Sequence, residues 1–187
     1  MARPLFLLPF LLLQILLGQP AGTCPCELRQ GELSPAKLEA RQCSLTNEAE
    51  KQPADVSYFF LKDVNPRKAN RLLILPRKYT GGMMELKDMT ASQRTELWTA
   101  TINKAKELWG DDWGVATNGA KVRTQCHLHI HIGKMIKGLE KNGRFIVVNS
   151  AAQIPVPADG TGLWIHPQNG KLVVHVGEQA AETVLLR

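Results

Sequence analysis

From Val56 to Val176 the chain alternates short apolar runs with turn-forming segments, and one long amphipathic stretch interrupts the alternation. Val56 to Leu61 and Arg71 to Leu75 are apolar runs separated by Asp63-Val64-Asn65-Pro66-Arg67, which is rich in turn residues. They predict a pair of strands, the second ended by Pro76 and followed by a basic loop from Arg77 to Gly82. Thr90-Ala91-Ser92-Gln93 has the spacing of a capping box, in which two side chains reciprocally satisfy backbone N–H groups at a helix start. Leu97, Trp98, Ile102, Ala105, Leu108 and Trp109 then recur at helical intervals as far as Gly110, predicting one principal helix. Strands are expected from Trp113 to Thr117, ending at Asn118-Gly119, from Cys126 to Met135, and from Phe145 to Asn149. Leu163 to His166 and Leu172 to Val176 flank Asn169-Gly170, a hairpin turn signal. The expected class is α+β: an antiparallel sheet with one principal helix and a C-terminal β-hairpin, forming one domain over 55–187.

The N-terminal part reads differently. Residues 27 to 52 are polar and charged, with scattered helix formers and Ser34-Pro35-Ala36-Lys37 as a capped turn, so 23–54 is expected to be an irregular arm. Before it, Met1-Ala2-Arg3, the apolar run Pro4 to Leu17 and the small residues Gly18 to Gly22 have the layout of an export signal. The apolar run of about 14 residues is shorter than the roughly 20 that span a bilayer, so 1–22 is read as a cleaved signal peptide in preference to the alternative, an uncleaved N-terminal anchor. Ala21-Gly22-Thr23 is a poor match to a lipid-attachment pattern at Cys24. The expected localisation is exported, periplasmic or membrane-associated.

Charge adds little. The chain has 23 Lys and Arg against 17 Asp and Glu, and losing the leader removes Arg3 alone, leaving a balance of +5. Such a surface suits an anionic substrate or an anionic membrane surface and does not by itself indicate nucleic acid. In an exported chain some of Cys24, Cys26, Cys43 and Cys126 should pair. Cys24 and Cys26 are too close in sequence to bond comfortably, which makes Cys43 the natural partner of one of them. Cys126 is either a small core residue or the partner of the thiol left over. A zinc site from Cys24, Cys26 and Cys43 lacks the usual Cys-x-x-Cys spacing.

The chemistry sits in His127-Leu128-His129-Ile130-His131. With the strand period of two, the three imidazoles share one face and Leu128, Ile130 and Ile132 the other. Clustered imidazoles cost stability unless something anionic or catalytic is gained. At about 3.3 Å per residue the outer two rings start roughly 13 Å apart, too far for all three to reach one zinc at about 2.0–2.1 Å. A phosphate fits better: one neutral ring attacks phosphorus while its neighbours hydrogen-bond to oxygens, and water attacks in a second step.

The strand pair, the helix, the Trp113-Gly114-Val115-Ala116-Thr117-Asn118-Gly119 strand and the histidine strand, in that order, resemble the histidine triad superfamily over roughly Val56 to Met135. Arg123-Thr124-Gln125, the export-type leader and Leu73-Ile74-Leu75-Pro76 resemble its CDP-diacylglycerol pyrophosphatase branch. The resemblance implies that His129 attacks the nucleoside-bound phosphorus to form a covalent nucleotidyl intermediate. His127 would support that ring and the local backbone, and His131 would contact phosphate oxygens. Asn118 lies where the superfamily carries an amide near the scissile phosphate. Gln125 would donate to a phosphate oxygen or fix the strand register, and Arg123 would offset charge.

The implied activity is hydrolysis of the pyrophosphate bond of a nucleotide conjugate, foremost CDP-diacylglycerol to CMP and phosphatidate, with no cofactor and no metal. A homodimer is compatible with it. The alternatives are a triad hydrolase or nucleotidyltransferase for a soluble conjugate, such as a dinucleoside polyphosphate or nucleotide sugar, and a non-catalytic nucleotide- or metal-binding module. Plainer readings stand beside these roles: Asn118-Gly119 as a turn, Arg123 facing solvent, Trp98, Trp109 and Trp113 in the core, His166 and His175 on the surface. The interval from Asn118 to His127 is shorter than in the common branches, and the hairpin region after about 142 is unmatched.

Overall fold

The computed structural model describes Cys24 and residues 37–63, 65–140 and 143–187, with the backbone alone for 37–42. The leader, Cys26 and Ser34-Pro35-Ala36 lie outside the described residues. The protein is α+β, with two α-helices and a seven-stranded antiparallel sheet among the described residues. Helix α1 is Lys37–Glu50 and α2 is Ala91–Trp109. The strands are β1 Tyr58–Lys62, β2 Leu72–Pro76, β3 Trp113–Thr117, β4 Ile130–Lys134, β5 Phe145–Val148, β6 Gly162–Gln168 and β7 Lys171–Glu178. Their order across the sheet is β1-β2-β4-β3-β6-β7-β5.

Helix α2 starts where the capping box predicts. The Thr90 hydroxyl accepts from Gln93 N at 3.3 Å, and the Gln93 side chain accepts from Thr90 N at 2.8 Å. It ends at Gly110, whose φ of 57° is open to glycine at little cost. Leu97, Trp98, Thr101, Ile102 and Ala105 form its buried stripe. Each large apolar side chain buried there contributes roughly 1.5–3 kcal/mol. The β6–β7 hairpin closes through Asn169 at φ 50° and Gly170 at φ 74°, as its dipeptide predicts.

Register decides which face does what. Ile74 and Ile130 pair, as do Val115 with Ile132 and with Ile165, and Ile165 with Val174, so one face is an aliphatic layer. That layer packs with α2 into the main core. The opposite face carries Leu73, His131, Ala116, Trp164, His175 and Phe145 in one lateral row. Leu45 and Ala49 of α1 pack at the Leu73 end. Ala181 and Leu185 of the last segment pack on Ala116, Met135 and Trp164.

Three expectations need correction. Residues 37–50 of the arm, expected to be irregular, form α1, which buries Cys43, Leu45, Thr46 and Ala49. Those positions mix small and polar residues, so no apolar periodicity announces the helix. The histidine strand is shorter than Cys126 to Met135, because β4 begins only at Ile130. Its neighbour β2 ends at Pro76, which has no N–H to offer a ladder, and the Pro76 carbonyl is taken by the His127 ring. The C-terminal hairpin forms as expected, and β6 pairs with β3, so it extends the sheet. His166 and His175, expected on the surface, are therefore buried at 2 % and 0 % exposure, with Trp164 stacked on His175.

Cys24 bonds to Cys126, 102 residues away, which makes Cys126 both a core residue and the partner of an arm cysteine. Cys43 is also disulfide-bonded, so Cys24 is not its partner. Among the described residues no helix is long and apolar enough to cross a membrane.

Candidate active site

His127, His129 and His131 are all buried, between the part of the face covered by α1 and the part covered by the C-terminal segment. Only His131 lies within β4 proper. The His127 ring stacks on Tyr79 at 5.4 Å, and its Nε2 faces the Pro76 carbonyl at 2.8 Å. A carbonyl only accepts, so the proton of His127 is on Nε2. His129 Nδ1 faces the His127 carbonyl at 3.0 Å. By the same argument Nδ1 carries the proton, and His129 Nε2 is left with a lone pair.

Burial holds these rings neutral. Loss of hydration lowers His127 and His129 to about 4 each, and the cation of Arg123 adds to the effect. Burial pushes His131 well below the ordinary imidazole value, reinforced by His129, whose ring meets it edge-on at 4.9 Å. Nδ1 of His127 and both nitrogens of His131 are buried without a hydrogen-bond partner among the described residues. Buried polar atoms are nearly always satisfied, so these ring nitrogens are open to a group that none of the described residues supplies.

The cations come from elsewhere in the chain. Lys68 Nζ lies 2.5 Å and Arg71 Nη1 2.7 Å from the same oxygen, Oε2 of Glu182. His131 Nε2 is 3.4 Å from that oxygen, in a geometry that makes no hydrogen bond, and His131 Nδ1 is 3.8 Å from Asp63 Oδ2. Arg71 is also tied to the C-terminal segment through the carbonyls of Leu185 at 2.5 Å and Leu186 at 3.0 Å. Burial works against the Glu182 carboxylate, yet its neighbours, His131 and Lys68 foremost, hold it down at about 2. Because His131 is neutral near pH 7, Lys68 and Arg71 carry that pairing.

The three residues expected to bind substrate have separate fates. Asn118 is buried beside the site, and its Oδ1 accepts from Glu182 N at 3.0 Å. Arg123 is buried, not solvent-facing; it donates to the Met84 carbonyl at 2.5 Å and keeps its charge near the histidines. Gln125 points to α1, where its Oε1 accepts from Ser44 Oγ and Leu45 N at 3.0 and 3.2 Å. Lys68, Arg71, Asp63 and Glu182 escaped sequence reasoning, since each alone reads as a solvated charge. Trp98 and Trp113 are core residues, as the plain reading has it.

A nearby cavity lined by Ser57, Tyr58, Pro76, Arg77 and Met84 contains no triad ring. Among the described residues no group of three His, Cys, Asp or Glu is placed to hold a metal ion. The fold and site together define an α+β protein with a buried row of neutral imidazoles and the cations of Lys68, Arg71 and Arg123 beside it. No family model matches the chain, and no curated protein matches it in sequence.

Proposed function

We propose that the protein is an exported histidine triad hydrolase that cleaves the pyrophosphate bond of a nucleotide conjugate, with CDP-diacylglycerol as the substrate and CMP and phosphatidate as products. The observation that carries the reading is the tautomer of His129. A proton fixed on Nδ1 by the His127 carbonyl leaves Nε2 as a neutral nucleophile at ordinary pH. Nε2 attacks the nucleoside-bound phosphorus, an N–P bond forms, and the bridging P–O bond breaks with departure of the second phosphate. Water then attacks the phosphorus, loses a proton, and returns His129 with release of the nucleoside monophosphate. Arg123, Lys68 and Arg71 supply positive charge near the negative charge that builds on the phosphoryl oxygens.

Three features support a lipid-linked substrate. The leader and the basic balance suit a membrane surface, and the edge strand β5 exposes Phe145, Ile146 and Val147, an apolar run of the kind that meets a lipid or a partner. Hydrolysis assays on vesicles containing CDP-diacylglycerol, run beside soluble dinucleoside polyphosphates and nucleotide sugars, test the assignment. The vesicle substrate should be preferred, and His129→Ala should cut turnover by about a thousandfold or more with the fold intact. Preference for a soluble conjugate would redirect the substrate. Unchanged hydrolysis in His129→Ala would remove the nucleophile.

A further inference from the structure

We propose that Lys68, Arg71 and His131 form an oxyanion subsite for the leaving-group phosphate, and that the Glu182 carboxylate occupies it until substrate arrives. The inference rests on the reading of the histidine row as a nucleotidyl-transfer centre. Its geometry is that of a single-oxygen cradle. An ammonium at 2.5 Å and a guanidinium nitrogen at 2.7 Å donate to Glu182 Oε2, as donors do to one phosphate oxygen, and an imidazole nitrogen lies 3.4 Å from it without a hydrogen bond. The subsite is built, not a chance surface meeting. The Arg71 side chain is 2 % exposed and that of His131 5 %, and both ring nitrogens of His131 are buried without a hydrogen-bond partner among the described residues. Edge-on contact with the His129 ring places the subsite one group away from the proposed nucleophile.

Glu182 is suited to leave without disturbing the fold. Its backbone is held by Asn118 Oδ1, and the segment around it by Leu185, buried against Gly114 and Gly133. Its side chain, in contrast, is 19 % exposed, as Lys68 is 20 % exposed, so the pair lies at the mouth of the site. Rotation of the carboxylate towards solvent frees the subsite and keeps the segment Ala181–Val184 in place. A phosphate that enters takes over the Lys68 and Arg71 contacts and supplies the acceptor that His131 lacks. The shared ligand chemistry is a phosphate monoester or free phosphate.

Titration calorimetry of the full chain with inorganic phosphate and, separately, with a short-chain phosphatidate below its micelle concentration tests the proposal without turnover. Glu182→Gln removes the competing charge and keeps the shape, and should bind at least one probe about tenfold more tightly than the wild type. Lys68→Gln, at a partly exposed position, should weaken binding in the Glu182→Gln background. A gain for both probes supports a subsite that reads phosphate alone. A gain for phosphatidate only supports one that also reads the lipid. No gain for either probe, with melting of Glu182→Gln unchanged, overturns the proposal. If Glu182→Gln does not fold, Glu182→Asp is the second variant: its shorter arm should also raise affinity, and unchanged affinity there overturns the proposal. Because no step needs His129, a failed phosphate-binding result is distinct from a failed nucleotidyl-transfer result.

Discussion

A histidine buried as a neutral ring makes a protein sensitive to acid. His127 and His129 titrate at about 4 in the folded protein against an ordinary 6.5. The unfolded chain therefore takes up protons first. The stability contributed by each ring is whole above pH 6.5 and falls as pH drops towards about 4, by on the order of 3 kcal/mol per ring. Glu182 has the opposite sign. Its folded value of about 2 lies below the ordinary 4.5, so its contribution is present above pH 4.5 and is lost as pH falls through about 2. The loss between 6.5 and 4 is thus expected from the imidazoles. Urea unfolding at about pH 7.5 and about pH 4.5 measures it. His127→Asn should shrink the difference between the two midpoints, and an equal difference in both proteins would contradict neutral burial. At this scale the alternating histidines were legible because strand period alone puts them together. Lys68, Arg71 and Glu182 were not, because only the tertiary fold brings the two cations to a carboxylate 114 and 111 residues away.

Elements were legible where local chemistry fixes them. Thr90 and Gln93 mark the start of α2 by reciprocal hydrogen bonds, and Thr90→Ala should cost about 1 kcal/mol in chemical denaturation. A cost near zero would mean that tertiary packing alone sets the helix start. Asn169-Gly170 likewise marks the hairpin. Where an element depends on its neighbours, sequence was silent. Helix α1 has only a short apolar face, Leu45 and Ala49, which packs on Phe59, Leu73 and Leu75, with Gln125 accepting from Leu45 N. The start of β4 is set by Pro76 on the adjacent strand, which sequence pattern along β4 does not contain. Gly162 shows the same dependence. A Cβ there would meet the Thr117 carbonyl at 2.1 Å, where β6 crosses the end of β3 just before Asn118. Gly162→Ala should destabilise by about 3 kcal/mol, read as a drop in unfolding midpoint, and a loss under about 1 kcal/mol would show that the backbone yields there.

At the scale of the whole molecule, two remote pieces of chain are tied to opposite faces of the sheet on either side of the histidine row. Cys24 is tied to Cys126, next to the first histidine, and the last segment covers Ala116, Met135 and Trp164 beside the third. The cross-link closes a span of 102 residues, for which chain entropy gives about 4–5 kcal/mol of stabilisation. The double variant Cys24→Ser, Cys126→Ser should lose stability of that order in chemical denaturation. A loss below about 1 kcal/mol would mean that the arm is held by packing instead. The α+β class and the C-terminal hairpin could be read from pattern, whereas the burial of the histidine row could not, because its cover comes from the two ends of the described chain. The most direct test of the chemistry is rapid-quench mass spectrometry of the protein mixed with CDP-diacylglycerol. A cytidylyl adduct should appear on the peptide containing His129 before CMP is released, and should be absent from His129→Asn. Formation of CMP with no adduct, or with the adduct on another residue, would contradict nucleotidyl transfer through His129.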